Sequence, residues 1–100
     1  MYYVLIEFDV RPGREDGFIE AWSELTEIIH RESGGLGSRL HTTPDGRYIA
    51  YAQWPDKETR ERDSLFSDEG QRARELMRET IVPENTRILY ELSLVKDLLK

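Results

Sequence analysis

Cysteine is absent from the 100 residues of this chain. That excludes disulfides, thiol nucleophiles and thiolate-held metals together. Histidine is nearly as scarce, with only His30 and His41, so no metal site is expected. Cations are in the minority: 14 Lys and Arg stand against 20 Asp and Glu, a formal net charge of −6. A negative domain repels phosphate backbones, so no nucleic-acid partner is expected. No apolar run approaches the ~20 residues of a spanning helix. A basic amphipathic stripe for an anionic membrane surface is missing too. The chain starts on a strand-like run rather than a leader, and the cytoplasm is the expected location. Repeats, linkers and low-complexity segments are also absent, so residues 1–100 are expected to form one domain.

What is present has clear periods. "YYVLIEFDV" (2–10) alternates, with Val4, Ile6, Phe8 and Val10 on one face and Tyr3, Leu5, Glu7 and Asp9 on the other. Pro12 and Gly13 stop this strand. Phe18, Trp22, Leu25 and Ile29 then recur at helical spacing, which predicts a helix over about 14–31, ended by Gly34 and Gly35. The segment 36–54 reads as a hairpin around "TPDGR", a three-residue loop with a glycine bulge pairing Thr43 with Arg47. That register sets Leu40 opposite Ala50, Ser38 opposite Ala52 and Leu36 opposite Trp54 on one face. His41 with Ile49 and Arg39 with Tyr51 occupy the other.

"PDKETRERDSLF" begins with Asp56 as a cap and reads as a short helix. A second helical run is predicted over 68–81, capped by Ser67, with Ala73, Leu76, Met77 and Thr80 inward. The last strand is placed at 86–95, with Ile88, Tyr90, Leu92 and Leu94 on its helix-facing side.

The order β-α-β-β-α-β predicts an α+β, ferredoxin-like fold, with both helices on one face of a four-stranded antiparallel sheet. The other face is left bare. Tyr3, Leu5, Ile49, Tyr51, Leu89 and Val95 are expected there, mixed with Glu7, Arg39, His41, Gln53 and Glu91. So broad a half-apolar patch marks an interaction surface, and a homodimer through this open face is expected.

Three stretches, "VLIEFDVRPGREDGFIEAW", "GGLGSRLHTTPDGRYIAYAQW" and the step from Trp54 through Asp56 and Lys57 to Glu58, give the chain a family likeness. It resembles the antibiotic biosynthesis monooxygenase (ABM) domain family over nearly its whole length. The resemblance implies the dimeric α/β barrel and a small-molecule pocket between sheet and helices. It also implies oxygenation of a small aromatic, quinol or polyketide-like, without metal, flavin or other cofactor. An ionised phenol can itself give an electron to O₂. The protein then supplies a dry pocket, a proton acceptor and hydrogen bonds that favour the anion. A haem-degrading branch of the same superfamily uses an Asn, a Trp and a His. The corresponding positions here hold Ile6, Asp63 or Ser64, and Ala73 or Arg74, so haem degradation is only a third reading. The second is a non-enzymatic ligand-binding or dimerisation module, since membership of a fold does not prove catalysis.

Among candidate substrate-binding residues, Trp54 is first a core aromatic beside Leu36, and otherwise a wall for a flat ring. Ser38, Ala50 and Ala52 share its face. They either let a helix approach closely or leave a cavity bounded by Trp54, Tyr48, Phe18 and Trp22. The catalytic candidates are Tyr90 and Tyr48, hydroxyls expected in the helix-facing layer, and His41, a near-neutral base. The hairpin register sets His41 on the outer face with Arg39 and Tyr51. There, pairing of Arg39 with Glu7 or Glu91 is the simpler role. His30 complements the helix dipole.

Overall fold

A computed structural model describes residues 1–62 and 67–100. Strand β1 (Tyr2–Phe8) buries Val4 and Phe8 on its apolar side and leaves Tyr3 and Leu5 half-exposed on the other. After the Pro12–Gly13 turn comes helix α1 (Glu15–Ser33). Glu15 and Asp16 lie in its first turn and His30 and Arg31 in its last, each opposing the local end of the dipole. Gly34 closes it at φ 79°, the left-handed cap that a side chain resists. The fully covered stripe is Phe18, Ala21, Leu25 and Ile28. Trp22 and Ile29 flank that stripe, half-buried, rather than forming its centre.

Strands β2 (Ser38–Thr42) and β3 (Tyr48–Trp54) form the expected hairpin in the expected register: Ser38 with Ala52, Arg39 with Tyr51, Leu40 with Ala50, His41 with Ile49. The Thr43 amide donates to the Arg47 carbonyl at 2.9 Å, and Gly46 takes the positive φ of 84° that the turn requires. Leu36 departs from expectation. Pairing as a regular strand begins only at Ser38, and Leu36 is left 44% exposed.

Helix α2 (Lys57–Glu61) is capped by Asp56, whose carboxylate accepts from the Thr59 amide at 2.7 Å. The rest of the expected helix, and the haem position at Asp63 or Ser64, lie outside the described residues. Helix α3 (Asp68–Glu79) is capped by Ser67. That serine also donates its hydroxyl and amide to Glu32 of α1 at 2.7 and 3.0 Å, which ties the two helices and holds the Glu32 carboxyl below its ordinary range. Ala73 and Met77 meet α1, but Leu76 turns outward at 45% exposure. The helix stops at Glu79, short of 81, because the Thr80 amide and hydroxyl both return to the Met77 carbonyl and Ile81 leaves to bridge Val10. A 3-10 turn, Pro83–Asn85, leads into β4 (Arg87–Ser93).

The sheet is antiparallel throughout, in the order β2-β3-β1-β4. The α+β, ferredoxin-like arrangement expected from the sequence is therefore the one formed. Its core is Phe8, Phe18, Ala50 and Ile81, closed by Ile6, Trp22, Leu40, Tyr48 and Met77 between sheet and helices.

The largest departure is in β4. Glu7 pairs with Arg87 and Ile6 with Ile88, but Leu5 pairs with Tyr90, so Leu89 is an extra residue in a bulge. A single inserted residue moves every later side chain to the opposite face. Tyr90 and Leu92 consequently lie on the open face, opposite Leu5 and Tyr3, not toward the helices. Glu91 crosses the other way, and its carboxylate accepts from the Tyr2 hydroxyl at 2.5 Å. Val95 lies beyond the strand, 94% exposed.

Candidate functional site: a cavity between sheet and helices

Small side chains on the inner sheet face leave room. Ala50 and Ala52 of β3 and Ser38 of β2 form a floor of short residues between Ile6 of β1 and the aromatic Trp54. Over this floor α1 presents Trp22, Leu25, Thr26 and Ile29, and α3 presents Met77. The result is a cavity of about 490 Å³, open at one side. That volume lies in the range of small-molecule sites, roughly 300–1,000 Å³. Trp22 and Ile29 are incompletely covered because they face this space.

Gly35 lies close to Ile29 and beside Trp54. A Cβ there would sit 2.9 Å from Ile29 Cγ2, a clash that glycine avoids, and 3.4 Å from Trp54 Cη2, an ordinary contact. The Gly35 carbonyl accepts from His30 Nδ1 at 2.6 Å. His30 therefore does more than oppose the helix dipole: it ties the turn under Trp54 to α1.

The cavity offers few polar atoms. Thr26 Oγ1 donates to the Trp22 carbonyl at 2.8 Å and Ser38 Oγ to the Tyr51 carbonyl at 2.9 Å. Each hydroxyl has thereby committed its proton and keeps only lone pairs for a ligand. The ionisable lining among the described residues is Arg60, Glu61 and Arg62 from the α2 region and Arg74 from α3. Glu61 lies 3.7 Å from Lys57. No group of three or more His, Asp or Glu among the described residues is placed to hold a metal ion.

Five of the six residues expected at a substrate site, Trp54, Trp22, Ser38, Ala50 and Ala52, line this cavity. Phe18 does not. It is fully buried, with its ring 5.2 Å from Phe8 and 5.4 Å from Tyr48, and so belongs to the packed core. Tyr48 packs edge-on against it and is likewise no part of the cavity wall. Tyr90 is 65% exposed on an edge strand of the open face, not in a central strand of the inner layer. His41 is exposed on the outer face, where the hairpin register put it. Ile6, Leu25, Thr26, Ile29, Met77 and Arg60 were not foreseen. Helical phase could have found Ile29 and Met77; nothing in the local sequence marks Arg60.

The open sheet face gathers Tyr3, Leu5, Ile49, Tyr51, Tyr90 and Leu92, with the Tyr3 and Tyr51 rings stacked at 5.1 Å. At one end Glu7 is buried beneath Arg47 and Arg87, at 2.6 and 2.7 Å. Glu7 and Glu91 thus take partners other than Arg39, against expectation. No helix among the described residues is long and apolar enough to cross a membrane.

The sequence pattern of the antibiotic biosynthesis monooxygenases matches residues 1–76. The chain belongs to this family. No curated protein matches it significantly. Among solved structures, an antibiotic biosynthesis monooxygenase family protein of Bordetella bronchiseptica superposes with a TM-score of 0.77 at 23% identity, over 95% of this chain and 97% of that one. SnoaB of Streptomyces nogalater, described as a cofactor-independent oxygenase, superposes with a TM-score of 0.75 at 16% identity, over 99% and 97%. A family protein of Caulobacter crescentus gives 0.72 at 18% identity, over 95% and 90%. At such identities the likeness is one of fold, and this ABM chain's chemistry has to be argued from its own cavity.

Proposed function

We propose that the chain is a cofactor-independent monooxygenase of a small aromatic, quinol-like or polyketide-like, working as a homodimer in the cytoplasm, with residues 1–100 as one ABM domain. The observation that carries this reading is the cavity of about 490 Å³, walled by two indoles and floored by alanines, in a chain of this family. A flat, electron-rich ring fits such walls. Its own ionised hydroxyl supplies the electrons. One oxygen atom of O₂ enters a ring carbon, the other leaves as water, and the quinol is oxidised to a hydroxyquinone. The protein's part is to exclude water, orient the ring and favour the anion. Ser38 Oγ and Thr26 Oγ1 keep only lone pairs, so each can accept a hydrogen bond from a neutral ring hydroxyl and orient the ring before ionisation, but neither favours the anion. SnoaB, a cofactor-independent oxygenase on the same fold, supports the assignment.

Oxygen consumption with a panel of hydroquinones tests it. Uptake above the buffer rate is expected for at least one. No uptake across the panel overturns the monooxygenase reading and leaves the second, a non-catalytic ligand-binding or dimerisation module. One observation favours that alternative: Glu61, the cavity's only described carboxylate, lies against Lys57 rather than standing as a free base.

The homodimer is supported by the open face. Tyr90 at 65% and Leu92 at 40% exposure extend the apolar group around Tyr3 and Tyr51, a patch that a second sheet would cover. Light scattering at micromolar concentration should give twice the 11.8 kDa chain mass. A monomeric mass refutes the dimer.

A further inference from the structure

Among the described residues, one cation on the cavity wall is without a counter-ion. Arg60 lies in the last turn of α2, half-buried, and lines the cavity with Trp54 and Ala52. Among the described residues its side chain has no ion pair and no hydrogen bond. Glu61, its neighbour in the chain, lies 3.7 Å from Lys57, and the Asp56 carboxylate accepts the Thr59 amide. Arg62 and Arg74, which also line the cavity, have partners of their own, so the vacancy is at Arg60. A guanidinium partly withdrawn from water presents five donors in a planar fork, a shape that matches a carboxylate bidentately. The chain as a whole carries −6 and repels acids. The described cavity lining carries three arginines to one glutamate, and with Arg62 and Arg74 partnered it is Arg60 that can draw an anion.

We propose that the cavity takes an aromatic acid, with its ring against Trp22 and Trp54 and its carboxylate on Arg60. The inference rests on the reading of this cavity as the substrate site, and it adds the chemical class that the site selects. Arg60 then sets specificity, and the ring hydroxyl remains the reacting group.

Calorimetric titration with a matched pair, 1-hydroxy-2-naphthoate and 1-naphthol, tests the proposal. The acid should bind at least about tenfold more tightly, the yield of one good charge-assisted contact. Arg60→Met should abolish that preference, so that the ratio of acid to naphthol affinity falls to about one. Arg60→Lys, which keeps the charge but loses the fork, should fall between. Equal affinities in the wild type, or a preference that survives Arg60→Met, overturns the proposal. Should Arg60→Met fail to fold, an undiminished preference in Arg60→Lys overturns it, and a reduced one supports it. The two readings fail separately. Acid preference without oxygen uptake removes the monooxygenase and keeps the acid site. Uptake with neutral and acidic quinols alike removes the acid site and keeps the monooxygenase.

Discussion

Replacing Ala52 with leucine gives opposite results for an open cavity and for a filled core. Ala52 lies on β3, a central strand, between Val4 of β1 and Ser38 of β2, and its methyl group faces the space beneath α1. In a filled core, three added carbons force neighbours off their rotamers and cost about 1–3 kcal/mol. Here they enter a cavity of about 490 Å³. Burial of three carbons at ~0.8 kcal/mol each sets a ceiling near 2.4 kcal/mol of added stability. The cavity is open at one side, so roughly half of that, about 1 kcal/mol, is the expected gain. Urea denaturation followed by circular dichroism reads the stability, and calorimetric titration with 1-naphthol reads the cavity. Ala52→Leu should be at least as stable as the wild type and bind the naphthol at least about tenfold more weakly. A loss of more than about 1 kcal/mol with naphthol binding intact would refute both the cavity and the orientation of this strand.

Three further outcomes follow from single side chains. Phe18 is fully buried between Phe8 and Tyr48, so Phe18→Ala should cost about 3–5 kcal/mol and lower the thermal midpoint by more than roughly 12 °C; a drop under 5 °C would contradict its place in the core. The Tyr2 hydroxyl is pushed up to about 12, first by its hydrogen bond to Glu91 and then by burial. The folded state therefore holds this proton more tightly than the unfolded chain does, and the stabilisation is complete below about pH 10 and lost as pH rises through about 12. Wild type and Tyr2→Phe should converge in stability over that window, and parallel pH profiles would refute the contact. Ser33 Oγ is buried with no partner among the described residues, so Ser33→Ala should raise the urea midpoint by an amount worth a few tenths to about 1 kcal/mol, and a lowered midpoint would show that the hydroxyl is satisfied.

Periodicity made most of the fold legible, and made the site legible only where the period was unbroken. The hairpin is the clearest case. "TPDGR" fixes loop length and register together, and once Thr43 faces Arg47 every inward residue of β2 and β3 follows, including the Ser38, Ala50 and Ala52 floor. Helical phase worked less well, because a stripe read by eye has a width. Spacing alone groups Phe18, Trp22, Leu25 and Ile29 on one face. The structure separates Phe18, packed wholly within the core, from Trp22, Leu25 and Ile29, which border the cavity. Local pattern does not distinguish a residue packed on protein from one packed on empty space. Arg60 was illegible for another reason: the role proposed for it rests on which acids among the described residues fail to reach it, a matter of three dimensions.

Tyr90 illustrates the cost of one unseen residue. The alternation of "TRILYELSLV" is regular, and nothing in it marks Leu89 as extra. Strand β4 is pinned on both sides of that point: at its start Arg87 reaches Glu7 at 2.7 Å, and after it Glu91 takes the Tyr2 hydroxyl. In an unbulged strand two residues separated by four positions share a face. Here Arg87 and Glu91 must serve opposite faces, one at the buried carboxylate of the open side and the other beneath the helices. A bulge between them satisfies both contacts. It also moves Tyr90 and Leu92 into the patch proposed for the second subunit. The catalytic reading of Tyr90 thus loses its structural premise, and the surface proposed for dimerisation gains Tyr90 and Leu92.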